Sequence, residues 1–158
     1  MTARVHPIPE SSPRLTPHLV VNDAPAALAF YASAFGARET YRVLGPDGRV
    51  MFGELVLGDV RLFVHDEYPE QHSMSPTTLG GTPVALHLYV VDVDAAFARA
   101  IAAGMTVEIP LADFFWGERY ASVRDPYGHL WGLASRTEDL SPREIQDRAE
   151  AFYRRNQS

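Results

Sequence analysis

Two histidines stand at matched places in this sequence: His18 opens His18-Leu-Val-Val-Asn-Asp23 and His87 opens His87-Leu-Tyr-Val-Val-Asp92. Imidazole changes charge near neutral pH, so such a pair suits acid and base catalysis or polar contact with a ligand. With a carboxylate the pair could instead hold a metal, and Glu54, on the third expected strand, is the candidate. The plain alternative is two histidines bonded to neighbouring backbone or side chains. Tyr89 follows His87 by two residues and therefore shares its strand face, adding a hydroxyl. A second cluster, Asp113-Phe-Phe-Trp-Gly-Glu-Arg-Tyr120, packs four aromatic rings, two acids and one arginine into eight residues. Phe115, Trp116 and Tyr120 could stack on a planar or cationic compound while Arg119 holds a carboxylate or phosphate. Equally, the phenylalanines could be core and Arg119 could pair with Glu118 or Asp113. His65, His72, Asp66 and Glu67 read as a solvated loop after a strand, and Tyr41, Met51 and Phe52 as core or hairpin packing.

Composition removes several chemistries. The 158 residues contain no Cys and no Lys, and all fourteen basic residues are Arg. Thiol nucleophiles, thiolate metal sites and Schiff bases are excluded. A formal net charge of −6 provides no basic field for phosphate, so neither nucleic acid nor an anionic membrane is expected as a partner. The apolar runs are too short to span a bilayer and the start lacks an apolar signal segment, which makes the cytoplasm the expected location. No Gly-rich phosphate loop and no Ser-centred nucleophile elbow occurs.

The histidines need strands to position them. Residues 1–14 read as a loose arm rich in Pro and Ser. Leu15 to Val21 is a short β-branched run, and Ala24 to Phe35 carries apolar residues at helical spacing. Asp23 can cap that helix and Gly36 can end it. Three strands follow: Glu39 to Leu44, Arg49 to Leu57 after a Gly45-Pro-Asp-Gly48 turn, and Val60 to His65 after a Gly58-Asp59 turn. The same order recurs after a Pro-, Ser-, Thr- and Gly-rich connector. Laying His18 over His87 also matches Leu, Val and Asp without a gap, which indicates an internal duplication. Asp125-Pro-Tyr-Gly128 reads as a structural β-turn. Ser141-Pro-Arg-Glu144 is a capping box for a C-terminal helix whose Ile145, Ala149 and Phe152 share a face. The expected organisation is an arm over 1–14, one domain over 15–140 (module one 15–68, connector 69–83, module two 84–140), and a helix and tail over 141–158.

Two tandem βαβββ modules, the Phe30-Tyr31…Ala34-Phe35-Gly36 helix and the Asp125-Pro126-Tyr127-Gly128-His129 turn together resemble the vicinal-oxygen-chelate superfamily of glyoxalase I and the bleomycin-resistance proteins. Thr16-Pro-His-Leu-Val-Val21, Ala34-Phe-Gly-Ala37, Trp116-Gly-Glu-Arg-Tyr120 and Gly128-His-Leu-Trp131 are most similar to its PhnB-like subgroup. The resemblance implies an α+β fold: an eight-stranded cupped mixed sheet with helices outside, holding a small molecule on its concave face. It also implies a homodimer. In the family's enzymes a divalent metal acts there as Lewis acid. By position, the metal ligands of those enzymes fall on Thr16, Leu62, Ala85 and Gly132, which supply at most one hydroxyl. The leading expectation is therefore a protein that binds a planar or heterocyclic metabolite or antibiotic without the usual metal, through His18, Glu54, His87, Tyr89, Phe115, Trp116, Arg119 and Tyr120. The rivals are a metal-independent isomerase, cyclase or lyase using His18 and His87 as acid and base, and a metal-dependent lyase or dioxygenase with shifted ligands His18, His87 and Glu54.

Overall fold

The computed structural model of the chain describes residues 6–9 and 13–156. Its elements are strands His18–Val21 (β1), Arg38–Leu44 (β2), Val50–Leu57 (β3), Val60–Asp66 (β4), Ala85–Tyr89 (β5), Thr106–Phe114 (β6), Glu118–Arg124 (β7) and Leu130–Arg136 (β8), with helices Ala24–Phe35 (α1), Pro76–Leu79 (α2), Val93–Ala103 (α3) and Pro142–Asn156 (α4). The strands form two four-stranded mixed sheets, ordered β1-β4-β3-β2 and β5-β8-β7-β6. The chain divides into two compact units with the boundary between Gly80 and Gly81, and each unit holds one βαβββ module. Among the described residues no helix is long and apolar enough to cross a membrane.

Matched residues do matched work in the two modules. Asp23 accepts from the Ala26 amide at 3.0 Å and Asp92 from the Ala95 amide at 3.0 Å, satisfying orphan donors at the starts of α1 and α3. Gly36 (φ 72°) and Gly104 (φ 112°) end those helices in the left-handed region, where a side chain would be strained.

Alternation along the strands sorts side chains between two faces. In the first unit Leu19, Val21, Leu55, Leu62 and Val64 are buried on the face covered by α1, and a Cβ on Gly53 would lie 3.1 Å from Leu28 of that helix. Register then places the remaining residues: β1 runs parallel to β4 with His18 opposite Phe63 and Val20 opposite His65, and Glu54 lies opposite Phe63. His18, Glu54, Phe63 and His65 therefore occupy the face away from α1. Leu62 lies on the helix face, contrary to its expected alignment with a metal position. The residue in register with Gly132 is Phe63, because His18 pairs with Phe63 as His87 pairs with Gly132.

Two buried carboxylates tie ends together. Asp66 accepts from the amides of Ala24 and Val50, both at 2.7 Å, joining the start of α1 to the start of β3. Asp125 accepts from the amides of Tyr127 and His129 and from Trp131 Nε1 at 2.8 Å, which gives the Asp-Pro-Tyr-Gly turn its structural role.

The connector over 69–83 carries structure of its own, a 3-10 turn at Pro69–Gln71 and α2, both in the first unit. Glu67 anchors α2 by accepting from the Ser75 amide at 2.9 Å and the Thr78 hydroxyl at 2.8 Å. At α4 the capping box forms as expected, with the Ser141 amide donating to Glu144 Oε2 at 2.8 Å and the Glu144 amide donating to Ser141 Oγ at 3.3 Å. Phe152 packs on Phe115 with ring centroids 5.3 Å apart. Most of the arm expected over 1–14 lies outside the described residues; His6–Pro9, Pro13 and Arg14 are exposed.

Asp66→Ala should leave two buried amides unpaired and lower unfolding stability by about 2–4 kcal/mol. Urea unfolding measures this, and a loss below about 0.5 kcal/mol would show that the tie contributes nothing.

Candidate functional site

A cavity of about 430 Å³ opens in the first unit, where the ends of β1 and β4 meet the β2–β3 turn and the 3-10 turn. Its polar wall is a chain of three side chains. His18 Nε2 lies 2.8 Å from His65 Nδ1, and His65 Nε2 lies 2.9 Å from Ser73 Oγ. His18 is further held edge-on to Phe52 and Phe63. Burial disfavours the imidazolium form of both histidines and holds both below the ordinary histidine pKa; at His65 the neighbouring His18 adds to the effect.

The rest of the lining includes Tyr68, Met51, Asp47, Glu70 and Arg49, and the cation is already paired. Arg49 donates from Nε to Asp47 at 2.7 Å, from one terminal nitrogen to Glu70 at 2.8 Å, and from the other to the Glu67 carbonyl at 3.0 Å. Its guanidinium sits 3.9 Å from the centre of the Tyr68 ring, a cation–π contact that fixes both groups. Those hydrogen bonds hold Asp47 and Glu70 below the ordinary carboxylate range. Met51 also lines the cavity; it is largely exposed and lies against Gly45 of the β2–β3 turn, where a Cβ would come within 3.2 Å of Met51 Cγ. The Tyr68 hydroxyl is buried without a hydrogen-bond partner among the described residues.

In the second unit the corresponding face is filled. His87 stacks on Tyr120 with centroids 5.7 Å apart, and Tyr120 packs edge-on against Phe114 and Trp116. Gly132 lies beneath them; a Cβ there would be 2.7 Å from Tyr120 Cε2 and 3.2 Å from His87 Nδ1. Glu118 accepts from the Tyr89 hydroxyl at 2.5 Å and from Trp116 Nε1 at 2.9 Å, and stands 3.8 Å from His87 Nε2. The bond to Glu118 raises the pKa of the Tyr89 hydroxyl.

Several expected ligand contacts are engaged elsewhere. Arg119 forms a two-pronged pair with Asp94 at 2.8 Å and reaches Asp113 at 3.3 Å, so the pairing alternative describes it better than a clamp on a ligand. Phe115 packs on α4 and Trp116 serves Glu118. Glu54 does not line the cavity: it accepts from the Thr40 hydroxyl at 2.7 Å and pairs with Arg61 at 2.9 Å, and the Thr40 bond holds it below the ordinary carboxylate range. Phe63 stands between it and His18 in the strand register. Sequence reasoning missed His65, Ser73, Arg49 and Tyr68. The available signal was alternation, since His65 stands two residues from Phe63 and out of phase with Leu62 and Val64.

The family's metal does not fit the donors present. Thr16 offers one hydroxyl, Ala85 and Gly132 offer no donor, Leu62 faces α1, and Phe63 brings a ring instead. Among the described residues no three His, Asp or Glu side chains gather as a metal site.

The histidine pair predicts a pH dependence of stability. Folded-state pKa values below the unfolded ~6.5 mean that the unfolded chain takes up protons which the folded chain refuses. Stability should therefore be unaffected above that value, fall as pH drops through it, and level off below the folded values. In urea unfolding at a series of pH values, His65→Phe should flatten this decline; an unchanged slope would contradict the assignment.

The geometry has relatives. The profile of the Glyoxalase/Bleomycin resistance protein/Dioxygenase superfamily matches residues 13–133. Over 137 residues the chain is 47% identical to the uncharacterized protein Mb0911c of Mycobacterium bovis, covering 85% of this chain and 90% of that one. TioX from Micromonospora sp. ML1 superposes with a TM-score of 0.63 at 30% identity, covering 79% of this chain and 99% of its own. A gene product of Arabidopsis thaliana superposes with a TM-score of 0.61, also at 30% identity, over 78% and 98% of the two chains. With its profile running through both modules, the chain belongs to the Glyoxalase/Bleomycin resistance protein/Dioxygenase superfamily.

Proposed function

We propose that the protein binds a planar or heterocyclic small molecule, a metabolite or antibiotic, in the cavity of its first unit, and that it does so without a metal. The observation that carries this reading is the cavity itself. Its volume of about 430 Å³ falls in the range of small-molecule sites. Tyr68 and Met51 supply a flat and a soft apolar wall, while His18, His65 and Ser73 supply a few fixed polar groups. Arg49 has all three nitrogens engaged, so its work is to hold Tyr68 rather than to neutralise an anion. Membership of a superfamily that includes bleomycin resistance proteins supports a binding role.

One observation favours a second reading, a metal-independent isomerase, cyclase or lyase. The hydrogen-bonded chain from His18 to Ser73 is a route by which a proton taken up at His18 can be shared. Turnover of a bound compound, lost in His18→Ala with affinity retained, would establish that reading.

Calorimetry with bicyclic heterocycles tests the binding role. Tyr68→Ala should weaken binding about tenfold, Tyr68→Phe should leave it unchanged, and a metal chelator should have no effect. Equal affinity in Tyr68→Ala, or loss of binding with chelator, would contradict the proposal.

A further inference from the structure

His65 uses both ring nitrogens within the protein, on His18 and on Ser73. His18 uses only Nε2, and its Nδ1 has no protein partner among the described residues. A neutral imidazole carries one N–H and one bare nitrogen, which leaves the chain two self-consistent arrangements. In the first, the Ser73 hydroxyl donates to His65 Nε2, His65 Nδ1–H donates to His18 Nε2, and His18 offers N–H at Nδ1. In the second, His18 Nε2–H donates to His65 Nδ1, His65 Nε2–H donates to Ser73 Oγ, and His18 offers a lone pair at Nδ1. Both hold the same protons and no net charge. Tautomer exchange of the two rings through solvent and rotation of the serine hydroxyl convert one to the other.

Among the described residues no neighbouring charge hydrogen-bonds to His18 Nδ1. Arg49 is spent on Asp47, Glu70 and the Glu67 carbonyl. Asp66, next to His65 on β4, points to the helix face and accepts from Ala24 and Val50. Glu67 serves Ser75 and Thr78, and Glu54 and Arg61 pair with each other on the far side of Phe63.

We propose that His18 Nδ1 is an adaptable contact, so that the cavity takes uncharged planar heterocycles through one in-plane polar edge, whether that edge donates or accepts. The proposal rests on the binding role above. It carries a consequence in acid. With one added proton shared by the two rings, every arrangement that keeps the His18–His65 bond leaves N–H at His18 Nδ1. The contact then only donates. Burial resists that proton, so the change belongs below the ordinary histidine range.

Three ring probes of similar size test this by calorimetry: indole, which offers only N–H, coumarin, which offers only acceptor oxygens, and naphthalene, which offers neither. Near pH 7.5, indole and coumarin should bind within about threefold of each other and each about tenfold more tightly than naphthalene, the worth of one hydrogen bond. His18→Phe should erase that tenfold advantage, and His18→Asn, whose amide can give or take a hydrogen bond, should keep it. At an acid pH where NMR shows the pair protonated and the protein folded, indole should fall to the naphthalene level while coumarin keeps its advantage. If only one of the two polar probes outbinds naphthalene in the wild-type protein, or neither does, the adaptable contact is wrong and the binding role stands. If no ring binds at all, both are wrong.

Discussion

The hydrogen bond between His18 and His65 joins residues 47 positions apart, and it can form only because β1 lies parallel to β4 in one register. A shift of one residue would turn His18 toward α1 and bring an apolar side chain into its place. Burial enforces the register: Leu19 and Val21 of β1 and Leu62 and Val64 of β4 must all face the helix together. Each such side chain removed from water contributes roughly 1.5–3 kcal/mol, so a slipped sheet would lose several of these at once. The histidine pair, its reach to Ser73 and the cavity beyond it are what that apolar alignment leaves on the other face.

Duplication supplied two copies of this arrangement, and the copies diverged through side chains rather than backbone. His87 occupies the place of His18, with the same strand order and the same helix caps. Where Phe63 and His65 stand in the first sheet, the second has Gly132 and Ala134. The space above these small residues is taken by Tyr120, itself packed by Phe114 and Trp116. A ring thus fills the volume over Gly132 in the second unit, where the first unit has a polar chain beside an open cavity.

What could be learned from sequence followed the range of the interactions. The caps at Asp23 and Ser141, the helix end at Gly36 and the Asp125 turn act within a few residues, and local chemistry named them correctly. The face of His18 was also accessible, because alternation is local. The partner of His18 was not. His65 enters the site through strand pairing across 47 residues, and Ser73 enters through a connector that looked like a simple linker. Leu62, four residues after Gly58 as Gly132 is four after Gly128, is out of register with Gly132 for a related reason. The turn between β3 and β4 has two residues, Gly58 and Asp59, while five separate β7 from β8, so equal counts from glycine arrive on opposite faces. For Arg119 the neighbouring Asp113 was among the partners the sequence offered, whereas its two-pronged partner Asp94 comes from 25 residues away and no local pattern marks it.

The central claim is that two uncharged, directly bonded imidazoles form the polar wall of the cavity. Long-range proton–nitrogen NMR of the histidine rings near neutral pH tests it most directly. The account predicts neutral shifts for both rings, hydrogen-bonded nitrogens at both positions of His65, and a change at His65 Nε2 in Ser73→Ala. An imidazolium at either ring, or a His65 spectrum indifferent to Ser73, would contradict it.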